Sequence, residues 1–178
     1  VNNYSADNTL DVIAEFGDPR IEVINFKNNG VIGAGRNLGI RASNAPYIAF
    51  LDSDDTWRHT KLEKVAEAVE ANPDGGLFCH NQDLIQEGRV AKQTFYGPPP
   101  DYAQDLFGYA LLVCNGPATS ATTVSRRHLE EVGFFSEETE FITAEDYDLW
   151  IRLSKVCSFH FIPEVLGPEA NLRLSLDD

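Results

Sequence analysis

Apolar and polar residues alternate along the chain in blocks that predict a regular succession of helices and strands. Helices are predicted over residues 9–16, 33–42, 61–71, 127–132 and 144–155. Strands are predicted over residues 21–26, 47–51, 76–80, 121–124 and 158–162. Residues 86–105 show no clear period, and the three consecutive prolines within them indicate an exposed loop.

The alternation of strands and helices predicts an α/β fold with a mostly parallel central sheet and helices on both of its faces. Residues 47–51 are apolar throughout, which is typical of a strand buried on both faces. The chain has 178 residues, of which 43% are hydrophobic and 24% charged. This length suits one α/β domain, and the composition is that of a globular protein and argues against disorder.

The charge balance limits the partners that the chain can have. Fourteen Lys and Arg against 28 Asp and Glu give a net charge of −14, which repels nucleic acid and anionic membrane surfaces. A phosphorylated substrate would also be repelled unless a divalent cation screened it. No apolar run reaches the roughly 18 residues that a membrane span requires, so we predict no span in this chain.

The cysteines indicate the compartment. Cys79, Cys114 and Cys157 are widely spaced and form no Cys-x-x-Cys pair. This pattern excludes a disulfide scaffold and a structural zinc site, and it favours reduced thiols in the cytoplasm. The chain contains no methionine, and Val1 is followed directly by polar turn residues. We therefore expect an N-terminally incomplete piece of a longer protein.

The first candidate for chemistry is a carboxylate cluster directly after the predicted strand 47–51. Asp52 and Asp54 lie at its carboxyl end, where open α/β sheets bind their ligands. Carboxylate oxygens are the ligands that Mg²⁺ and Mn²⁺ prefer, shared with the phosphate oxygens of a substrate. The competing interpretation is a polar turn whose aspartates cap the next helix. An Asp-x-Asp pattern by itself does not distinguish the two.

A second acidic cluster opens the predicted helix 144–155. Thr143 and Asp146 fit a capping box, and acids in a first turn stabilise the helix dipole. Glu145, Asp146 and Asp148 together exceed what a cap requires. A carboxylate at a helix start that faces a cleft can act as a general base. Both interpretations are compatible with this segment alone.

The third candidate is the glycine-rich segment around Arg36. Glycines permit a close approach of the backbone to a ligand, and a guanidinium is suited to a phosphate or a base edge. The segment lacks the Gly-Lys-Ser/Thr ending of a phosphate-binding loop. The alternative is a glycine-rich helix start that carries an exposed arginine.

Taken together, five motifs resemble those of family 2 glycosyltransferases, in the same order and over nearly the whole chain. Residues 1–9 resemble V-D-D-G-S-x-D-x-T, and residues 29–39 resemble N-x-G-x-x-x-A-R-N-x-G. Residues 50–57 match F-L-D-x-D-D-x-W, residues 122–134 resemble the strand and helix before G-G-F-D, and residues 145–152 match E-D-x-D-L-W-x-R. The combination is far more specific than any single motif.

The resemblance implies the GT-A fold, a Rossmann-like α/β architecture in one domain. Residues 1–80 would form its nucleotide-sugar-binding half and residues 81–178 its acceptor and catalytic half. It implies an inverting, metal-dependent transfer of a sugar from a nucleoside-diphosphate sugar to an acceptor hydroxyl. The expected nucleotide is UDP, and the expected acceptor is a carbohydrate or a lipid-linked glycan. Such an enzyme would work in the cytoplasm, or at the cytoplasmic face of a membrane as a full-length protein.

The resemblance also assigns roles to individual residues. Asp54, assisted by Asp52, would hold Mn²⁺ or Mg²⁺ on the diphosphate of the donor. Asp146 would be the catalytic base, with Glu145 beside it orienting the acceptor or the donor. The nucleotide-sugar site would consist of Asn3, Arg36, Asp52, Ser53 and Asp54.

The first motif departs from the family pattern, because Asn2 and Asn3 stand where the family has two aspartates. Asparagine both donates and accepts hydrogen bonds, so we expect an altered nucleotide preference with binding retained. The first strand and helix of the family would precede Val1. We expect their absence to leave an edge of the sheet exposed.

Three other interpretations stay open. Residues 52–56 also satisfy the D-x-D-x-T signature of haloacid-dehalogenase-type phosphatases, with Asp52 as the nucleophile. That family places the motif on the first strand of its domain, whereas here it follows a long stretch of chain. The other two alternatives are a non-catalytic nucleotide-sugar-binding module and a nucleotidyltransferase on a similar sheet.

Overall fold

The computed structural model describes residues 1–87, 89–96 and 117–168. The α-helices in this part of the chain are α1 (Thr9–Glu15), α2 (Ile32–Ala42), α3 (Lys61–Ala71), α4 (Arg126–Val132) and α5 (Glu145–Ser154). The strands are β1 (Tyr47–Ala49), β2 (Leu77–Gln86), β3 (Arg89–Thr94), β4 (Thr122–Ser125) and β5 (Phe159–Val165). Two 3₁₀ turns cover Thr119–Ala121 and Thr139–Phe141.

All five predicted helices are present, and α3 has the predicted bounds. The predicted strand 21–26 does not form, since only Asn25 makes a bridge, to Asn2. A strand needs a partner that pairs with it along several residues, whereas the segment beside residues 21–26 pairs at a single residue, Asn2. The segment 86–105, in which no element was predicted, contains β3. Nearly all of β3 is exposed, so it lacks the apolar alternation that marks a strand. The proline run lies outside the described residues.

The α/β class is confirmed, but the expectation of a mostly parallel sheet is wrong for the described strands. The strand order is β1-β4-β2-β3, with β5 also pairing with β2. Only β2 and β5 are parallel, whereas the pairs β1–β4, β4–β2 and β2–β3 are antiparallel. β4 is inserted between β1 and β2 and runs opposite to both. An alternation of strands and helices along the chain does not reveal such an insertion.

The main core lies between the sheet and helices α2, α4 and α5. Leu149, Trp150 and Leu153 of α5 are fully buried and pack against Leu77 and Val124 of the sheet cluster. β1 is only half-buried, although its apolar run predicted burial on both faces. The reason is its position, since β1 is an end strand that pairs with β4 alone among the described strands. In the part of the chain that the structure describes, no helix is long and apolar enough to cross a membrane.

Helix α2 is anchored by its buried face, which carries Gly33, Asn37 and Ile40. A Cβ atom at Gly33 would lie 2.5 Å from the carbonyl oxygen of Ser136, so only glycine allows this approach. The amide of Asn37 brackets Phe135: Nδ2 donates to the Phe135 carbonyl at 3.0 Å, and Oδ1 accepts the Phe135 N–H at 3.0 Å. These contacts fix the first two turns of α2, which carry Arg36, against the segment that leads to α5.

Replacing Asn37 should therefore weaken the whole fold. We expect Asn37→Ala to lower the free energy of unfolding by about 2–4 kcal/mol, because it leaves two buried backbone groups of Phe135 without their partner. Urea unfolding followed by circular dichroism measures this loss. Asn8→Ala is the matched control, since the exposed Asn8 side chain makes no capping hydrogen bond. Equal stability of the two variants would contradict the anchoring role.

Candidate active site

Arg36 joins two carboxylates that are far apart in the sequence. Its Nη2 atom donates to Asp52 Oδ1 at 2.7 Å, and its Nη1 atom donates to Glu145 Oε1 at 2.6 Å. The side chains of Arg36 and Glu145 are only 15% and 7% exposed, whereas Asp52 is 38% exposed. The bridge therefore runs from the solvent-facing end of β1 to the buried start of α5. Three predicted site residues from separate motifs meet at this point.

The 3₁₀ turn Thr119–Ala121 makes a second connection between the same two regions. Ser120 Oγ accepts the backbone N–H of Asp52 at 2.9 Å. The neighbouring hydroxyl, Thr119 Oγ1, donates to Asp146 Oδ2 at 3.3 Å. Both turn residues are buried. The turn thus holds the loop after β1 and the start of α5 in one rigid frame.

The acids at the start of α5 form no capping box, although Asp146 Oδ1 accepts the backbone N–H of Tyr147 in the first turn at 2.7 Å. The N-cap residue is Ala144, which makes no side-chain capping bond, and Thr143 lies outside the helix with φ of 72°. The predicted capping box of Thr143 and Asp146 is therefore wrong. Asp148 is engaged elsewhere, since its Oδ2 accepts two hydrogen bonds from Arg152 at 2.6 and 2.9 Å. Glu145 and Asp146 remain as the acids of this turn that belong to the site.

One oxygen of Glu145 is left without a partner. Oε1 binds Arg36, but Oε2 is buried and accepts no hydrogen bond from the described residues. A buried carboxylate oxygen is costly to leave unpaired. This oxygen belongs to the residue directly before Asp146, at the start of α5.

A cleft of about 620 Å³ opens beside the carboxylates. Asn3, Arg36, Asp52 and Ser53 all line it, together with residues 47–51 of β1 and its extension. Asn3 is exposed and its Oδ1 accepts the N–H of Asn28 at 3.2 Å, which sets the direction of its side chain. Four of the five predicted nucleotide-sugar residues therefore share one cleft.

Asn2 and Asn3 differ in their roles. Asn2 is 8% exposed; its Nδ2 donates to Asn25 Oδ1 at 2.8 Å, and its Oδ1 accepts from the Ser5 N–H and hydroxyl. Its amide is thus used to hold the turn after Val1. Asn3 presents its side chain toward the cleft and is the one suited to a ligand.

The donor set fits a hard dication that is shared with a substrate. Asp54 lies exposed in the loop after β1, and the backbone turns there through an Asp55 N–H to Asp52 carbonyl bond of 3.1 Å. Within residues 1–87, 89–96 and 117–168, no group of three or more His, Cys, Asp or Glu side chains could hold a metal ion by itself. Two carboxylates alone leave most of the coordination shell to phosphate and water oxygens, which is the usual arrangement for Mg²⁺ with a nucleotide.

The motif analysis missed Lys61 and Ser120, which support the carboxylate loop, and Thr119, which contacts Asp146. Lys61 is fully buried at the start of α3, and its Nζ donates to the Ser120 carbonyl at 2.9 Å. One signal could have revealed it, because Lys61 lies four residues before Val65 on the apolar face of α3. The two turn residues carry no comparable signal, since their contacts are to distant parts of the chain.

Burial shifts the pKa of several groups in the described part of the chain. Desolvation lowers the pKa of Lys61 to about 7 and that of His80 to about 4, and it raises the pKa of the Cys157 thiol to about 12. His80 is a packing residue of β2, whose Nδ1 lies 2.9 Å from the Asn81 carbonyl oxygen. Cys79 and Cys157 are free thiols, and Cys114 lies outside the described residues.

These shifts predict that stability rises from neutral to mildly alkaline pH. Unfolded Lys61 keeps its proton up to about pH 10.5, but the folded chain releases it near pH 7. The unfolded state therefore binds more protons above pH 7, and the free energy of unfolding increases with pH. The lowered pKa of His80 likewise makes the free energy of unfolding increase with pH, between about pH 4 and 6.5. The raised pKa of Cys157 makes it decrease with pH above about pH 9.

We expect the free energy of unfolding to increase by an amount on the order of 1–2 kcal/mol between pH 7 and 9. Urea unfolding at pH 7, 8 and 9 measures it. Lys61→Met should make the free energy of unfolding nearly independent of pH in this range. Lys64→Met, at the surface of the same helix, should leave the pH dependence unchanged. A flat profile for the unmodified chain would show that Lys61 is not desolvated.

Solved structures show which fold the chain shares. The Staphylococcus aureus protein TarS, residues 1–349 in complex with UDP-GlcNAc, superposes with a TM-score of 0.71 at 16% identity, over 93% of this chain and 46% of that one. The mannosyltransferase PcManGT from Pyrobaculum calidifontis, in complex with GDP-Man and Mn²⁺, gives a TM-score of 0.60 at 15% identity, over 94% of this chain and 46% of that one. These likenesses confirm the expected GT-A fold.

Sequence comparison gives the family. The UDP-Glc:alpha-D-GlcNAc-diphosphoundecaprenol beta-1,3-glucosyltransferase WfaP of Escherichia coli is 32% identical over 154 residues, which are 85% of this chain and 56% of that protein. The chain thus spans about half the length of this relative. The model of the family described as Glycosyl transferase family 2 matches residues 1–133. This chain therefore belongs to glycosyl transferase family 2.

Proposed function

We propose that this glycosyltransferase carries out an inverting, metal-dependent transfer of a sugar from a nucleoside-diphosphate sugar to an acceptor hydroxyl. The observation that carries the proposal is the Arg36 bridge between Asp52 and Glu145. It brings the carboxylate loop after β1 next to the acidic start of α5. Inversion needs a base on one side of the sugar and stabilisation of the leaving group on the other, and these two acidic regions can supply them.

The donor side consists of the cleft residues and the carboxylate loop. Asp54, with Asp52, would hold Mn²⁺ or Mg²⁺ against the diphosphate, and a bound dication stabilises the charge that develops on the leaving diphosphate. Asn3 would hydrogen-bond the nucleobase, while Arg36 and Ser53 complete the nucleotide wall of the cleft. We assign residues 1–80 to this half and residues 81–178 to the acceptor half. β2 crosses the boundary, so the halves would share one sheet.

The acceptor side consists of Asp146 and Glu145. Asp146 would take the proton from the acceptor hydroxyl, since a hydroxyl is a poor nucleophile until a carboxylate accepts its proton. The hydroxyl of Thr119 donates to Asp146 Oδ2 and so orients the carboxylate. The unpaired Oε2 of Glu145 would accept a hydrogen bond from a hydroxyl of the acceptor or the donor sugar.

Relatives favour UDP as the nucleotide and a lipid-linked acceptor. WfaP is named for UDP-Glc and a diphosphoundecaprenol-linked GlcNAc, and the TarS structure contains UDP-GlcNAc. PcManGT contains GDP-Man instead, so the family fold is compatible with another base. A lipid-linked acceptor would place the full-length enzyme in the cytoplasm at a membrane face. The net charge of −14 disfavours binding to nucleic acid, which is also negatively charged.

Family membership removes the phosphatase and nucleotidyltransferase interpretations, which depended on the Asp52 motif or on the sheet alone. The non-catalytic binding module remains as the alternative that experiment must exclude. Phosphatase chemistry would also need Asp52 as a nucleophile, yet Asp52 Oδ1 is held by Arg36.

The proposal is tested by calorimetric titration of UDP, GDP and dTDP, each with and without Mn²⁺. We expect one nucleotide to bind, and to bind at least tenfold more tightly with the metal. Release of that nucleotide from its sugar conjugate, in the presence of an α-GlcNAc-diphospholipid, then separates an enzyme from a binding module. Absence of binding to all three nucleotides would overturn the proposal.

A further inference from the structure

A lysine ammonium is buried next to the carboxylate loop. Lys61 is 0% exposed, although it is the first residue of α3 and its neighbours Leu62 and Glu63 are exposed. Among the residues that the structure describes, it has no ion-pair partner. Burying an ammonium without a counter-charge costs free energy, so buried lysines are rare where they serve no purpose.

The contacts of this ammonium converge on two groups. Nζ donates to the carbonyl oxygen of Ser120 at 2.9 Å and lies 3.5 Å from the centroid of the Trp57 ring. Trp57 Nε1 donates to the same carbonyl oxygen at 2.8 Å. A cation over an indole face is a favourable pairing when both are desolvated. Lys61, Trp57 and Ser120 therefore form one closed unit, which we call the lysine clamp.

The lysine clamp is attached to both acidic regions of the site. Ser120 Oγ accepts the N–H of Asp52, the first carboxylate of the loop after β1. Trp57 lies three residues after Asp54. The loop is therefore held at Asp52 by Ser120 and, just beyond Asp54, by Trp57. Thr119, adjacent to Ser120, donates to Asp146. The position of Ser120 thus sets the loop and the acidic start of α5 relative to each other.

We propose that Lys61 is a positioning residue for sugar transfer, which fixes Ser120 and Trp57 so that the loop 52–54 keeps its place relative to Asp146. The proposal rests on the proposed function, since positioning matters only if the loop holds the metal and the diphosphate. It goes beyond that function because Lys61 touches neither of the carboxylates and acts only through other residues. An apolar side chain would fill the space at less cost but would bind neither the carbonyl nor the ring.

Lys61→Met separates positioning from stability. Methionine keeps a flexible apolar stem but has no charge, and the Ser120 carbonyl retains its hydrogen bond from Trp57. We expect the variant to melt no lower than the unmodified chain at pH 7, because the desolvated ammonium is gone. We expect its affinity for UDP in the presence of Mn²⁺ to fall at least tenfold. Lys64→Met, whose ammonium pairs with Glu67 at the surface, is the matched control and should change neither quantity.

A spectroscopic readout tests the clamp without any ligand. The chain contains two tryptophans, and Trp150 donates to the carbonyl of Pro117 away from the clamp. In ¹⁵N-labelled protein, Lys61→Met should shift the indole N–H resonance of Trp57 and leave that of Trp150 in place. Identical spectra for the variant and the unmodified chain would overturn the proposal.

Ser120→Ala provides a second, independent test, because it removes the hydroxyl that binds the Asp52 N–H but keeps the backbone carbonyl that binds Lys61. If both residues act on the same loop, the affinity losses of the two single variants will not add in the double variant. The proposal would be overturned if the losses of UDP affinity in the two single variants add in the double variant. Unchanged UDP affinity in Lys61→Met, or a loss of affinity no larger than the unfolded fraction of that variant explains, would overturn it as well. If the unmodified chain binds GDP or dTDP in place of UDP, the same variants are measured with that nucleotide. If it binds none of the three with Mn²⁺, the proposed function fails and the positioning role fails with it.

Discussion

Asp146→Asn should lower the rate of sugar transfer by about 10²–10⁴-fold, the range typical for removal of a general base. Asparagine has the same shape, and its Oδ1 can still accept one of the two hydrogen bonds that the carboxylate accepts, from the Thr119 hydroxyl or from the Tyr147 N–H. It cannot take the proton of the acceptor hydroxyl. Because Asp146 does not contact the nucleotide in this proposal, the affinity for UDP with Mn²⁺ should change by less than about threefold, well under the tenfold that 1.4 kcal/mol represents.

The measurement is UDP release from the UDP-sugar in the presence of an α-GlcNAc-diphospholipid, together with calorimetry of UDP and Mn²⁺. Asp11→Asn is the control, since Asp11 is an exposed acid on α1. Transfer at the unmodified rate in Asp146→Asn would exclude Asp146 as the base. Glu145→Gln would then be the next variant to measure, because its buried Oε2 is the other carboxylate oxygen at this place.

Asp54→Ala should abolish the metal-dependent part of nucleotide binding. Loss of a carboxylate ligand costs more than loss of a group that merely orients one, so we expect the apparent affinity for Mn²⁺ in the presence of UDP to fall more than about 100-fold. With a net charge of −14, the chain repels the diphosphate unless the dication is bound. UDP binding should therefore drop to the level seen without metal.

Calorimetry of UDP with and without Mn²⁺ checks this expectation, and thermal unfolding shows whether the variant is folded. Asp74→Ala is the matched control, because the Asp74 side chain is fully exposed in the turn after α3. If Asp54→Ala still binds UDP more tightly with Mn²⁺, then Asp54 is not a metal ligand. Asp52→Ala is a less clean test, since it also removes the ion pair with Arg36.

The comparison of Asp54 with Lys61 illustrates what a motif can and cannot reveal. Asp54 belongs to a short pattern at the end of an apolar strand, and the nature of carboxylate oxygens points directly to a dication. Lys61 belongs to no catalytic pattern. Its importance arises from contacts with Ser120, 59 residues away along the chain, and with Trp57. Only the folded chain places these groups together.

The sequence by itself determined the helices, most of the strands, the acidic character of the site and the family. Apolar periodicity and turn residues are local properties, and they decide which faces of α2, α3 and α5 turn inward. The motifs likewise identified Arg36, Asp52 and Glu145 one by one, without their contacts.

Only the tertiary structure decided how these pieces meet. It inserted β4 between β1 and β2, paired β3 with β2 through exposed residues, and brought Arg36 into contact with both Asp52 and Glu145. It also showed that Thr143 does not cap α5 and that Asn2 holds a turn. Such contacts depend on packing between segments that are distant in the chain. Local patterns carry no record of which distant segment will become the neighbour.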